Sequence, residues 1–196
     1  MNTKTCGTQM GLDGGHGPGQ LSMLDAHWHL LRYYGSHQRP RALLDLFATA
    51  FADREDAGRC FWRLAITEWP NFDAIPHGEY QRLFRRYQRE WRADYMRGTG
   101  LQLYRNLPEQ VELFRGQNWR MPGARRSSCG LSWTLDRDIA TEFAIGCRIR
   151  NPDPVILTTS VSKSDVAFAC GERNEQEVVL FRTPASNACK VDPLTR

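Results

Sequence analysis

The hydrophobic pattern of this chain changes period once, and that change constrains the fold more than any other feature. From Ser22, which occupies the position of a helix N-cap, to about residue 98, apolar residues recur at helical spacing in four segments. From residue 110 onward they fall into short runs typical of strands, with one short helical segment among them. Helices gathered before strands indicate an α+β fold rather than a series of βαβ units.

This pattern divides the chain into three parts. Residues 1–19 are rich in glycine and lack periodicity, so we expect a mobile arm. Residues 20–98 are predicted to form a helical region, whose fourth helix, GEYQRLFRRYQREWRADYM, ends near Gly98. Residues 99–196 are predicted to form a small mixed or antiparallel β core.

The β core is predicted from short apolar runs separated by turn residues. Asp136 is in the position of an N-cap for the one helix between these runs, DRDIATEFAIG. Asn151 to Pro154 form a stiff turn before the longest apolar run. The predicted strands are VELFRGQ (111–117), GLSWT (130–134), PVILTTSV (154–161), DVAFAC (165–170) and EVVLFR (177–182).

Composition excludes several classes of protein. A formal net charge of +4 over 196 residues is too small for a dedicated nucleic-acid binder. The basic residues are nearly all arginine, whose guanidinium suits phosphates and carboxylates. No apolar run is long enough to span a bilayer, and the first twenty residues do not form a secretory leader. We therefore expect no membrane association.

Six cysteines are scattered along the chain without the spacing of a metal site. We expect reduced thiols, no bound metal and a cytoplasmic protein, which could still be delivered into a target cell.

Two strand ends carry side chains that are unusual for a core strand. Arg115 closes an apolar strand and is costly to bury without a partner, and Gly116 after it would let a ligand approach the backbone. Taken alone, this pair is better explained by a surface arginine that caps a strand before a turn. Ser132 and Thr134 offer hydroxyl groups, and Trp133 between them could either stack on a flat ligand or fill the core.

Two glutamates precede the last strand. On an extended segment Glu175 and Glu177 would share one face, so their carboxylates would point into the same space. Like charges held close together raise one pKa, and such pairs often mark acid–base sites. A solvated loop before a strand is the ordinary alternative, and we assign Glu172 to such a loop.

The order of these features along the chain resembles the mono-ADP-ribosyltransferase family of the Arg–Ser–Glu type, over about residues 110–182. In that family the first strand ends in Arg-Gly, the second carries a Ser-Thr-Ser-like triplet, and the last carries Glu-x-Glu. A helix with a small residue and an aromatic follows the triplet, as Ala140 and Phe143 do in this chain. The triplet Ser-Trp-Thr departs from the family pattern, and the helical region lies outside the resemblance.

The resemblance implies NAD⁺ as the substrate and cleavage of the bond between nicotinamide and ribose. Arg115 would grip the pyrophosphate or the nicotinamide-side ribose. Gly116 would offer backbone groups to the carboxamide, with Gln117 beside it in the same NAD⁺ site. Ser132, together with Trp133 and Thr134, would complete the binding surface.

The resemblance also implies catalytic roles. Glu177 would hydrogen-bond the ribose 2′-hydroxyl and stabilise the cationic sugar, with Ser132 orienting it and Arg115 completing the catalytic set. Glu175 would orient or deprotonate the incoming nucleophile. A glutamate at this first position goes with arginine acceptors in the family, so we expect an arginine side chain of a target protein as the acceptor.

Several alternatives stay open. Water as the acceptor would give an NAD glycohydrolase. A nucleic acid could also be the acceptor, since RLFRRYQREWR interleaves arginines with aromatic residues. A nucleotide-binding interaction module without catalysis is the alternative that is not an enzyme. By analogy with the family, we expect a toxin or effector, which could have an inhibitor or antitoxin as a partner. The helical region could recognise a target, inhibit the site or support the sheet.

Overall fold

The computed structural model describes residues 21–118, 129–146, 151–171, 173 and 175–194. The predicted arm over residues 1–19 lies outside the described residues. The described helices are α1 (Met23–Tyr33), α2 (Arg39–Ala48), α3 (Ala57–Glu68), α4 (His77–Arg86), α5 (Gly98–Asn106) and α6 (Arg137–Ile145). The described strands are β1 (Gln110–Asn118), β2 (Ser132–Thr134), β3 (Pro154–Ser162), β4 (Val166–Cys170), β5 (Glu177–Leu180) and β6 (Lys190–Pro193).

The α+β class is confirmed, and the sheet is antiparallel throughout. Its six strands follow the order β4-β5-β2-β1-β3-β6, and every neighbouring pair runs in opposite directions. Strand β1 pairs with β3 along its whole length, from Gln110 to Asn118. On its other side β1 meets the short strand β2, which pairs in turn with β5. The arginine, hydroxyl and glutamate strands of the sequence are therefore neighbours.

The predicted N-caps are present. The Ser22 hydroxyl accepts a hydrogen bond from the Asp25 backbone N–H, and the Asp25 carboxylate accepts one from the Ser22 backbone N–H. This reciprocal capping box satisfies donors that the first turn of α1 leaves free. The Asp136 carboxylate likewise accepts hydrogen bonds from two backbone N–H groups at the start of α6. Both helices therefore begin where the sequence predicts.

The fourth helix is shorter than predicted. Helix α4 ends at Arg86, short 3₁₀ turns follow, and Gly98 begins α5 instead of ending α4. The chain leaves helical geometry where Tyr87 is buried and where the Trp91 indole donates a hydrogen bond to the Ala167 carbonyl of β4. These tertiary contacts favour an anchored turn over a longer charged helix.

Helix α5 packs closely on the sheet because Gly100 has no side chain. A Cβ atom on Gly100 would lie 2.5 Å from the Ala169 carbonyl oxygen of β4. The sequence-based boundary between residues 98 and 99 stays a prediction.

Apolar side chains cover both faces of the sheet. On one face the helices contribute a cluster of aromatic rings that continues into Leu131, Phe168 and Val179 of the sheet region. On the opposite face a second cluster includes Leu113 and Trp133. None of the helices in the described ranges combines the length and apolarity needed to cross a bilayer.

Candidate active site

A cleft of about 310 Å³ opens between residues 69–77 and the centre of the sheet. Strands β1, β2 and β5 supply one side of it, and α6 closes one end with Ala140 and Phe143. The volume falls within the range of small-molecule sites. The helical region therefore forms one wall of the cleft.

Most of the sequence-predicted site residues meet in this cleft. The register pairs Phe114 with Thr134 and Thr134 with Glu177, which brings the three strands side by side at one level. The predicted residues that line the cleft are Arg115, Gly116, Ser132, Trp133, Thr134, Glu175 and Glu177. Gln117 is not among the lining residues, because it lies further along β1, opposite Val155 of β3.

Glu177 begins β5 and turns its carboxylate toward the helical wall. Its Oε1 accepts a hydrogen bond of 3.1 Å from the Trp69 indole N–H, and the Ser132 hydroxyl bonds to the same carboxylate. Burial raises the pKa of Glu177 to about 7, although the bonds from Ser132 and Trp69 act in the opposite direction. The neighbouring Glu175 carboxylate raises this pKa further, while Arg115 lowers it. Glu177 can therefore be protonated or ionised near neutral pH.

Ser132 connects the other two groups. Its Oγ accepts a hydrogen bond of 3.1 Å from the Trp69 indole N–H. Because the indole occupies an acceptor position of the hydroxyl, the Ser132 proton is available to the Glu177 carboxylate. Two hydrogen-bond donors thus converge on one carboxylate.

Arg115 presents a guanidinium with an unused donor. Its Nη1 donates a hydrogen bond of 2.5 Å to the Ser132 carbonyl, whereas its buried Nε has no hydrogen-bond partner. Burial lowers the pKa of Arg115, but an arginine stays cationic at neutral pH. Among the described residues, no carboxylate forms an ion pair with it. An anionic group in the cleft would satisfy this guanidinium.

A glycine beside the guanidinium gives it room. A Cβ atom on Gly130 would lie 2.8 Å from the Arg115 Cζ. Gly130 also has a φ of +66°, a conformation that other residues adopt only with strain. The turn before β2 is therefore shaped around the arginine.

Gly116 is required by the packing of α6. A Cβ atom on Gly116 would lie 2.0 Å from the Ala140 carbonyl oxygen and 2.4 Å from the Ala144 backbone nitrogen. The alanines of the A-x-x-F-A segment are the small face that α6 turns toward β1, and both are fully buried. Phe143 is 52% exposed at the rim of the cleft. The packing of α6 thus explains why glycine occupies position 116, independently of any ligand.

Trp133, the middle residue of the Ser-Trp-Thr triplet, is among the residues that line the cleft, but its ring points to the opposite face of the sheet. The Trp133 ring is 2% exposed, lies in the apolar cluster on the opposite face of the sheet, and donates its indole N–H to the Gly130 carbonyl. The sequence left open whether Trp133 stacks on a ligand or fills the core, and in the structure it fills the core. Strand alternation explains this, since Ser132 and Thr134 share the face that Trp133 leaves.

Thr134 forms hydrogen bonds with backbone groups around the site. Its hydroxyl donates a hydrogen bond of 2.6 Å to the Glu175 carbonyl and accepts one of 3.0 Å from the Asp136 N–H. It therefore joins the segment that carries Glu175 to the start of α6.

The two glutamates share the cleft in a different way from the prediction. Strand β5 begins at Glu177, and Gln176 before it has a φ of +46°, so the segment from Glu175 is not extended. Glu175 and Glu177 meet across a turn and not through the alternation of a strand. Glu172 lies outside the described residues.

Sequence reasoning missed the residues that the helical region contributes. Trp69 follows the last residue of α3 and is 1% exposed. The Nδ1 of His77, at the start of α4, accepts a hydrogen bond of 3.1 Å from the Leu131 N–H, which places the imidazole proton on Nε2. Burial and the nearby Arg115 lower the pKa of His77 to about 3, so this imidazole is neutral. The pattern WPN after an amphipathic segment was the only signal, and it does not distinguish Trp69 from a core residue.

Comparison of this chain with protein-family models, curated proteins and solved structures finds no match. Within the described ranges, no group of three or more histidine, cysteine, aspartate or glutamate side chains is placed to hold a metal ion. The function of the chain is therefore inferred from the geometry of the cleft.

Proposed function

We propose that this chain is an NAD⁺-dependent mono-ADP-ribosyltransferase. The observation that carries the proposal is that Arg115, Ser132 and Glu177 line one cleft of about 310 Å³. They belong to three adjacent strands, and they supply a cation, a hydroxyl and a carboxylate to one volume. The sequence resemblance assigns these same groups to the binding and cleavage of NAD⁺.

The reaction needs positioning and charge stabilisation more than acid catalysis. Nicotinamide leaves with the electron pair of its bond to ribose, and positive charge develops on the sugar. The ionised Glu177 carboxylate stabilises this charge, and the unsatisfied guanidinium of Arg115 binds an anionic part of the dinucleotide. The apolar wall formed by Trp69 and Phe72 limits the access of water.

The acceptor that fits best is a guanidinium on a target protein. Glu175 and Asp73 both line the cleft, and their carboxylates can bind a guanidinium that enters it. A guanidinium nitrogen attacks the anomeric carbon as nicotinamide leaves, and Glu175 takes up the proton that this nitrogen loses. Arg173 also lines the cleft and can contact an anionic surface of the target.

The test uses labelled NAD⁺, the purified chain and a cell lysate. We expect label on protein, and we expect Glu177→Gln to reduce labelling by at least about 100-fold, as loss of a charge-stabilising group does. Glu112→Gln is the matched control, because Glu112 is an exposed glutamate of β1 outside the cleft. Nuclease-sensitive label would move the acceptor to nucleic acid.

Other outcomes of the same experiment separate the remaining candidates. Release of nicotinamide without label on any macromolecule would favour a glycohydrolase. Binding of NAD⁺ without its consumption would favour an interaction module and would overturn the proposal.

A further inference from the structure

We propose that Trp69 is a positioning residue which aims both the Ser132 hydroxyl and the Glu177 carboxylate through one shared indole N–H. The Trp69 Nε1 lies 3.1 Å from the Ser132 Oγ and 3.1 Å from the Glu177 Oε1. The helical region is therefore part of the active site and not only a support for the sheet. The catalytic meaning of this inference rests on the proposed function, whereas the hydrogen bonding can be tested without it.

The indole is held firmly enough to act as a fixed donor. Its ring is 1% exposed and meets Tyr80 and Phe168 edge to face, with centroid distances of 5.2 Å and 5.3 Å. These contacts come from α4 on one side and from β4 on the other. Pro70 follows directly and restricts the backbone where α3 ends. A donor fixed in this way needs no reorganisation when charge develops in the cleft.

An indole N–H differs from a hydroxyl in a way that matters for Glu177. The N–H can only donate a hydrogen bond, and the carboxylate oxygen accepts it. This bond therefore favours the ionised form of Glu177. A serine hydroxyl could instead accept a hydrogen bond from a neutral carboxyl group. By donating to the Ser132 Oγ as well, Trp69 turns the serine proton toward the carboxylate. One residue thus directs two donors to the group that must carry negative charge.

The test compares two tryptophan variants. Trp69→Phe keeps an aromatic ring and removes the N–H. Trp62→Phe is the matched control, because Trp62 is fully buried in the same aromatic cluster and donates its indole N–H to the Tyr87 carbonyl, away from the cleft. Trp62→Phe loses one buried hydrogen bond to a backbone carbonyl, whereas Trp69→Phe loses the hydrogen bonds to both Ser132 and Glu177.

The first readout is the pKa of the Glu177 carboxyl group, followed by carbon NMR across a pH titration. We expect Trp69→Phe to raise this pKa by about 1, because a hydrogen bond to the ionised form is lost. The acid limb of the kcat profile for NAD⁺ cleavage should move upward by the same amount, with KM little changed. Trp62→Phe should leave both unchanged. A native pKa of Glu177 in Trp69→Phe would overturn the inference.

A second readout needs no substitution of Trp69. In the native chain the indole N–H resonance of Trp69 should shift with pH, and the midpoint of this shift should equal the pKa of Glu177. The pH-dependent shift should vanish in Glu177→Gln. An indole resonance that ignores the titration would also overturn the inference. If these signals behave as expected but the native chain does not consume NAD⁺, the proposed function fails while the positioning of Glu177 stands.

Discussion

Replacing Glu177 by glutamine should change the pH dependence of stability in a defined direction. Burial raises the pKa of this carboxyl group from its ordinary value of 4.5 to about 7 in the folded chain. Below about pH 4.5 the group is protonated in both the folded and the unfolded states. Between the two values the folded chain holds a proton that the unfolded chain has released. The free energy of unfolding therefore falls as the pH rises through this window.

The size of the effect follows from the same two values. One pKa unit corresponds to about 1.4 kcal/mol. The rise from 4.5 to about 7 therefore corresponds to about 3 kcal/mol of stability that is present in acid and lost above neutrality. Glutamine has nearly the shape of glutamate but does not titrate, so Glu177→Gln removes this dependence and leaves the other titrating groups in place.

The assay is urea denaturation of both chains across this pH window. We expect Glu177→Gln to gain about 3 kcal/mol relative to the native chain between the acid and the alkaline end. Subtracting the two profiles cancels the contributions of all other groups that titrate alike in both chains. A stability difference that does not vary with pH would refute the reasoning, because Glu177 would then have an ordinary pKa in the folded chain.

Two further predictions concern the elements around the cleft. Gly116→Ala should cost about 3 kcal/mol and lower Tm by about 6–12 °C, since the added Cβ meets backbone atoms of α6 that no rotamer can move. Gly78→Ala, which meets nothing within 4 Å, should be neutral or stabilising, and equal Tm values for the two variants would contradict this account. Oxidised glutathione should join Cys129 and Cys189, whose sulfurs lie 3.4 Å apart, by disulfide exchange that releases reduced glutathione. Peptide mapping should find this cross-link with Cys60 still reduced, and a cross-link through Cys60 would contradict the geometry.

The helix-before-strand order and the caps could be predicted from the sequence because their causes are local, whereas α5 and β6 were missed. Ser22 and Asp136 cap helices through backbone groups within three residues of themselves. The strands β1, β2 and β5 follow from short apolar runs, and their polar ends marked the cleft. The predicted end of the fourth helix was wrong because tertiary contacts anchor Tyr87 and Trp91, and a local sequence pattern does not contain such contacts.

The remaining site features depend on how distant segments dock. Trp69 has the spacing of an ordinary core residue, and its indole becomes a donor to Glu177 only when α3 lies against the sheet. Gly116 suggested close approach of a ligand, whereas the closest approach in the structure is that of α6. Trp133 could face either side until the strand pairing fixed its direction. The chemical groups of the site could be predicted from the sequence, but the directions in which their side chains point could not.

The most direct measurement of the central claim is the release of nicotinamide from NAD⁺ by the purified chain. We predict saturable release that falls by at least about 100-fold in Glu177→Gln and persists in Glu112→Gln. Release that is absent from the folded native chain, or that is equal in the native chain and Glu177→Gln, would contradict the claim that Arg115, Ser132 and Glu177 form an NAD⁺-cleaving site.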